Sequence, residues 1–78
     1  MFYITPAGNT CFDLEQVLMF NYCFDKETKE IDKKSLIINF KTGHAIKLEC
    51  KTEEIAHETF CDLCKYLNTI NKLKRIKN

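Results

Sequence analysis

The stretch LIINFKTGHAIKLEC, residues 36–50, is the most informative part of the sequence, because two apolar runs flank one glycine. A two-residue loop would place Ile38 opposite Lys47 and so mix apolar and charged side chains on one face. A loop of residues 41–43 instead places Ile38 opposite Ile46 and makes that face almost wholly apolar, as a half-buried sheet requires. We therefore predict an antiparallel hairpin with Gly43 in the left-handed conformation. The predicted cross-strand pairs are Phe40–His44, Ile38–Ile46 and Leu36–Leu48.

Apolar runs upstream of this hairpin predict two more strands. The run VLMFNYCF, residues 17–24, is uncharged, rich in aromatics and bounded by polar residues, which is typical of a strand. The run FYIT near the N-terminus ends at Pro6. Residues 25–35 are highly charged and are expected to form a connection. The predicted strands cover about 2–5, 17–25, 36–40 and 44–50.

The remainder of the chain predicts one helix over about 53–70. Thr52 is a suitable N-cap, and Glu53 and Glu54 complement the positive end of the helix dipole. Apolar side chains recur at helical spacing and form one stripe, which should lie on the apolar face of the sheet. The stripe consists of Ala56, Phe60, Leu63, Leu67 and Ile70.

These elements predict a single small α+β domain over residues 1–78, since 78 residues leave no room for a second one. The expected architecture is an antiparallel β-meander of three to four strands, packed on one face by a single long C-terminal helix. Hydrophobic residues make up 45% of the chain, which is enough for a packed core and argues against disorder.

One helix covers only one face of a sheet, so side chains on the other face should stay exposed. Apolar groups in such a patch often mark an interface, and we expect this face to bind another protein or a second copy of the chain. A charged residue at Ile37 or Met19 should then give a monomer. The predicted interface residues are Met19, Asn21, Cys23, Ile37, Asn39, Ala45 and Lys47.

The stretch HETFCDLC, residues 57–64, contains residue types that bind zinc. The candidate ligands are His57, Cys61 and Cys64, with Cys50 or His44 as the fourth. No second closely spaced Cys or His pair exists, and three ligands along two helical turns converge poorly, so we predict no cofactor and keep a zinc-stabilised interaction domain as a third hypothesis. Cys61 also lies too far inside the helix for thioredoxin-like chemistry.

The C-terminal residues 72–78, KLKRIKN, carry four positive charges. Such a tail could bind the phosphates of a nucleic acid, and this is the alternative hypothesis. Against it, the whole chain has a net charge of only +1, and basic residues at a helix C-terminus also complement the helix dipole. The residues concerned are Lys72, Lys74, Arg75 and Lys77.

The leading hypothesis is a non-enzymatic protein that binds another protein stoichiometrically, as inhibitors and adaptors do. No phosphate-binding glycine loop, zinc-protease motif or nucleophile elbow is present, which argues against an enzyme. Anti-defence proteins of phages and mobile elements, including anti-CRISPR proteins, often have this build. The N-terminus lacks a signal peptide pattern and no apolar run is long enough to span a bilayer, so we expect a cytoplasmic protein without a membrane role, in the host cytoplasm if it is viral.

Overall fold

The computed structural model describes residues 1–69 and shows an α+β fold, as predicted. A three-stranded antiparallel sheet has the order β3-β4-β5, and β1 and β2 form a separate two-stranded sheet. A single 3₁₀ turn, Leu14–Gln16, connects β2 to β3. The elements are β1 Phe2–Ile4, β2 Cys11–Asp13, β3 Val17–Asp25, β4 Glu30–Phe40, β5 Ala45–Glu49 and α1 Glu53–Thr69.

The β4–β5 hairpin has the predicted register. Leu36 lies opposite Leu48 and Ile38 lies opposite Ile46. The Phe40 N–H donates to the His44 carbonyl at 2.8 Å and closes the three-residue loop. Gly43 has a φ of +95°, as the predicted loop requires. The alternation of apolar residues therefore determined the register, because any one-residue shift would have buried Lys47.

Strand β4 begins at Glu30, whereas the sequence predicted a strand only from residue 36. The connection between β3 and β4 is shortened to residues 26–29, because the Asp25 carboxylate accepts the N–H groups of Glu27 and Thr28 at 2.8 and 3.4 Å. Lys29 completes the turn with a φ of +58°. The added part of β4 is mostly exposed, so it lacks the apolar alternation that a strand with one buried face shows.

The predicted N-terminal strand pairs with a strand that the sequence did not predict. Tyr3 lies opposite Phe12 in this short hairpin, and the flanking pairs are Phe2–Asp13 and Ile4–Cys11. Strand β2 has only three residues, too few for a periodic pattern to identify it. The sheet therefore has three strands, and the hairpin of β1 and β2 is a second layer beside the helix.

Helix α1 packs against the apolar face of the sheet. Leu36 and Ile38 are fully buried there, together with Ala56 and Leu63 of the helix. Phe60 packs edge-on against Phe20 at 5.1 Å between ring centroids. Of the rest of the predicted stripe, Leu67 is half-buried and Ile70 lies outside the described residues.

Thr59 is fully buried on the helix, although its polar side chain gave no reason to expect this. Its hydroxyl donates to the Ile55 carbonyl at 3.0 Å, which satisfies the buried oxygen within the helix.

The β1–β2 hairpin lies on the same face as α1, because Phe12 packs against Phe40 and the Tyr3 hydroxyl donates to Asp62 at 3.0 Å. Among residues 1–69, no element covers the opposite face of β3-β4-β5, which we call the open face.

Candidate functional site

The sheet register places the seven predicted interface residues on the open face. One cross-strand row runs from β3 to β5 through Met19, Asn39 and Ala45. The neighbouring row runs through Asn21, Ile37 and Lys47. Cys23 follows on β3, opposite Asp32. These residues are brought together because side chains two positions apart on a strand lie on the same face.

Two of the apolar side chains on the open face are at least half-buried, so this face exposes less apolar surface than its composition suggests. Met19 is 53% exposed, whereas Cys23 is buried and Ile37 is half-buried. Three further residues of the set are also exposed: Asn21, Ala45 and Lys47. Lys47 forms an exposed ion pair with Glu49 at 3.4 Å. The open face therefore combines one large exposed apolar side chain with amides and a charge pair.

A bulge in β4 shapes one end of the open face. Tyr22 pairs with Leu36 but the next residue, Cys23, pairs with Asp32, so residues 33–35 are extra on β4. The Lys34 N–H donates to the Asp32 carboxylate at 2.9 Å, which holds the pKa of Asp32 below its ordinary value. Burial raises the pKa of the Cys23 thiol and keeps this thiol protonated.

His57 and Cys61 form a polar cluster with Tyr22 on the helix side of the sheet. The Cys61 thiol lies 3.4 Å from His57 Nε2, and the Tyr22 hydroxyl lies 3.4 Å from His57 Nδ1. Burial is the main cause that raises the pKa of Tyr22. The i, i+4 spacing on α1 explains the contact between His57 and Cys61.

The remaining zinc candidates do not complete this cluster. Burial raises the pKa of both Cys50 and Cys64, which opposes the thiolate form that a metal requires. Cys50 lies after β5, where its N–H donates to the Lys34 carbonyl at 2.8 Å. Within residues 1–69, no three His, Cys, Asp or Glu side chains are arranged to hold a metal ion.

A groove of about 470 Å³ lies where the β3–β4 hairpin extends past the start of α1. Ile31 and Phe24 face each other across this hairpin and are 59% and 60% exposed. Sequence reasoning missed the groove because Ile31 stands alone in a charged segment. The groove is lined by Tyr22, Ile31, Lys33, Glu53, Glu54 and His57.

A second groove, of about 820 Å³, lies between the tip of the β1–β2 hairpin, β5 and α1. Thr5 and Thr59 line it and are buried, and both hydroxyls already have hydrogen-bond partners within the chain. Among the described residues, no buried side-chain nitrogen or oxygen lacks such a partner. This groove therefore presents no unsatisfied group that would indicate a ligand.

Strand β3 forms one edge of the sheet, and no strand of residues 1–69 pairs with its outer side. The strand has nine residues, and its first charged residue is Asp25 at the very end. Leu18 near its start is 65% exposed. An uncharged edge of this length is unusual, because proteins commonly protect edge strands with charged residues or proline.

Two further sequence-based hypotheses meet the structure only in part. The basic residues Lys72, Lys74, Arg75 and Lys77 lie outside the described residues. In residues 1–69, no helix has the length and apolar character needed to cross a membrane.

Comparison with protein-family models, with curated proteins and with solved structures finds no match for this chain.

Proposed function

We propose that this chain is a non-enzymatic protein that binds another protein stoichiometrically through the open face. The observation that carries the proposal is the register of β3, β4 and β5, which aligns the rows Met19–Asn39–Ala45 and Asn21–Ile37–Lys47 on a face that no described element covers. This mode of action is that of a small inhibitor or adaptor. Anti-defence proteins, including anti-CRISPR proteins, are the class that such a chain resembles in build.

The chemistry of the open face supports a reversible partner. Interfaces of proteins that also exist apart are about as polar as the rest of the surface, with an apolar centre. The side chain of Met19 supplies an exposed apolar contact, and methionine adapts to irregular partner surfaces. Asn21 and Lys47 supply hydrogen-bond donors around it, so the face can orient a partner as well as bury apolar area.

The arrangement of the Cys and His side chains supports a role without catalysis. A nucleophile and its base must both border a space that holds a substrate. His57 borders the 470 Å³ groove, but Cys61 does not. We propose that the protein works in the cytoplasm, the host's if the gene is viral, where its five cysteines remain reduced thiols.

The experiment compares capture of the partner by three forms of the full chain. Wild type, the double variant Ile37→Lys/Ala45→Glu and the control Lys65→Glu are immobilised at equal density, and bound proteins are quantified by mass spectrometry. Lys65 is exposed on α1, on the other side of the molecule. We expect one protein to be retained by wild type and by Lys65→Glu, and to be depleted at least about tenfold on the double variant, as a loss of 1.4 kcal/mol would produce.

Circular dichroism of each variant establishes that the fold is retained. Equal retention by the double variant and wild type would contradict the proposal. Retention of nucleic acid, lost on deletion of residues 72–78 and on raising the salt concentration, would favour the alternative hypothesis of a nucleic-acid-binding module.

A further inference from the structure

We propose that the outer edge of β3 pairs with β3 of a second copy of this chain. The two strands run antiparallel about a two-fold axis at Asn21, and the three-stranded sheets join into one sheet of six strands. This site is distinct from the open face, since it uses the backbone at the edge of the sheet. It also differs from the face-to-face dimer that the sequence suggested.

The two edges of the sheet differ in how well they are protected against pairing. Strand β5 has only five residues, and two of them, Lys47 and Glu49, are charged and exposed. Strand β3 has nine residues, none of which is proline or glycine, and no charge precedes Asp25. Charged and short edges resist the addition of another strand, whereas long uncharged edges accept one. The edge of β3 is therefore the one that is suited to pairing.

The sequence of β3 is complementary to itself when the pairing is centred on Asn21. Met19 then lies opposite Cys23 of the second copy, and Phe20 lies opposite Tyr22. Asn21 lies opposite its own copy at the two-fold axis. In the single chain its side-chain amide donates to the Tyr22 carbonyl at 2.8 Å, so pairing places two such amides next to each other. Pairs in this register have the same parity, so open-face residues meet open-face residues and the helix-side residues meet likewise.

The same register accounts for two exposed apolar side chains. Leu18 is 65% exposed and Phe24 is 60% exposed in the single chain. Antiparallel pairing about Asn21 brings Leu18 next to Phe24 of the second copy, and the symmetry makes this contact twice. Aromatic and aliphatic cross-strand pairs are among those that stabilise sheets. Pairing would therefore remove from water two side chains that the single chain leaves exposed.

The irregularities of the sheet leave the outer edge of β3 continuous over its central part. At one irregularity the extra residue is Leu18, near the start of the strand. At the other, between Tyr22 and Cys23, the extra residues 33–35 belong to β4. From Met19 to Asp25 strand β3 therefore has no inserted residue, and this stretch includes the centre of the proposed pairing.

The helices leave room for this arrangement. Of the sheet strands, β4 is the one that α1 contacts most, one strand in from the β3 edge. In the joined sheet the two β4 strands are three strand spacings apart, about 14 Å. Packed helices lie 8–10 Å apart, so two α1 helices over their β4 strands do not collide. Because the two-fold axis is perpendicular to the sheet, both open faces lie on one side and form a continuous surface.

The test is sedimentation velocity of the full chain from micromolar to millimolar concentration. We expect wild type to be a dimer. Its dissociation constant should rise at least about tenfold in Leu18→Lys/Phe24→Lys, because each of the two cross-strand contacts then places one lysine opposite another. The matched control is Ala7→Lys/Ala45→Lys, which also places two lysines at exposed sites, at the tip of the β1–β2 hairpin and on β5, away from the β3 edge. The control should dimerise like wild type.

A disulfide gives a positive readout that does not depend on the charged variant folding. Asn21→Cys in a Cys11→Ser background should form a cross-linked dimer on mild oxidation, because residues opposite each other have Cβ atoms 4.5–5.5 Å apart. Ala45→Cys in the same background is the control and should stay uncross-linked. A wild type that is monomeric throughout, or a dimer broken by Ile37→Lys but not by Leu18→Lys/Phe24→Lys, would overturn the inference. Partner capture by the open face can succeed in either case, so the two proposals fail separately.

Discussion

Gly43 and Lys29 both hold positive φ angles, at +95° and +58°, beside the two turns of the main sheet. The sequence marked the first position, because a glycine between two apolar runs predicts a tight turn. It did not mark the second, because a lysine ordinarily avoids the left-handed region. The turn from Asp25 to Lys29 imposes that conformation through the hydrogen bonds of the Asp25 carboxylate. The residue in the left-handed conformation therefore predicted the β4–β5 turn, where it is glycine, but not the β3–β4 turn, where it is lysine.

The left-handed conformation of Gly43 can be tested by substitution. A Cβ at Gly43 would meet no atom within 4 Å, so its cost comes from the backbone conformation alone. We expect Gly43→Ala to lower the free energy of unfolding by about 1 kcal/mol, measured by urea denaturation. Gly43→Asn should cost less, since asparagine tolerates positive φ. An alanine variant as stable as wild type would contradict the assigned conformation.

At the scale of elements, periodic apolar patterns predicted the parts of the strands and the helix that have one buried face. Helix α1 has the predicted cap, and the Thr52 hydroxyl accepts the Ile55 N–H at 3.1 Å. The predicted stripe packs on the sheet from Ala56 to Leu67, and Ile70 lies outside the described residues. The early part of β4 was missed, because a strand that is solvated on both faces needs no alternation. The side chains of the open face were identified from the alternation of residues along each strand alone. The groove beside Ile31, in contrast, depends on how far the β3–β4 hairpin extends past α1.

The N-cap of α1 can be tested by removing its hydroxyl. Thr52→Ala should lower the free energy of unfolding by about 1 kcal/mol, because the first turn then has an N–H without its acceptor. Thr52→Ser keeps the hydroxyl and should restore most of the loss. Thermal or urea unfolding followed by circular dichroism measures both. A serine variant as unstable as the alanine variant would show that the hydroxyl is not the source of the stabilisation.

At the scale of the whole molecule, the Tyr3–Asp62 hydrogen bond joins the first strand to the last helix. Burial raises the pKa of Tyr3 from its ordinary value of 10.0 to about 12, and the neighbouring Asp62 adds to this shift. The folded state therefore favours the neutral phenol. The resulting stabilisation is fully present below pH 10 and is lost as the pH rises towards 12.

Tyr3→Phe should abolish this pH dependence. In wild type, Tyr3 should be the last tyrosine to ionise, and the late rise in absorbance at 295 nm that reports it should be absent in the variant. Between pH 10 and 12 the stability of wild type should fall more steeply than that of the variant. At neutral pH the variant should lose about 1 kcal/mol, as expected for one hydrogen bond. Tyr22→Phe is the control, because Tyr22 also has a raised pKa but does not contact Asp62. A late phenolate that persists in Tyr3→Phe would contradict the assignment.

Local patterns in the sequence were enough to predict the α+β class, the register of β4 with β5, the helix with its N-cap, and the set of side chains on the open face. Each of these follows from spacing and turn residues within a short segment, where the alternatives differ by burying a charge. Three features became known only from the folded structure: β1 pairs with β2, Thr59 is buried, and no strand of residues 1–69 pairs with the outer side of β3. The β1–β2 pairing could not be predicted because β2 is too short for a periodic pattern to identify it. The other two outcomes depend on which distant segments pack against α1 and β3, and no local pattern contains that information.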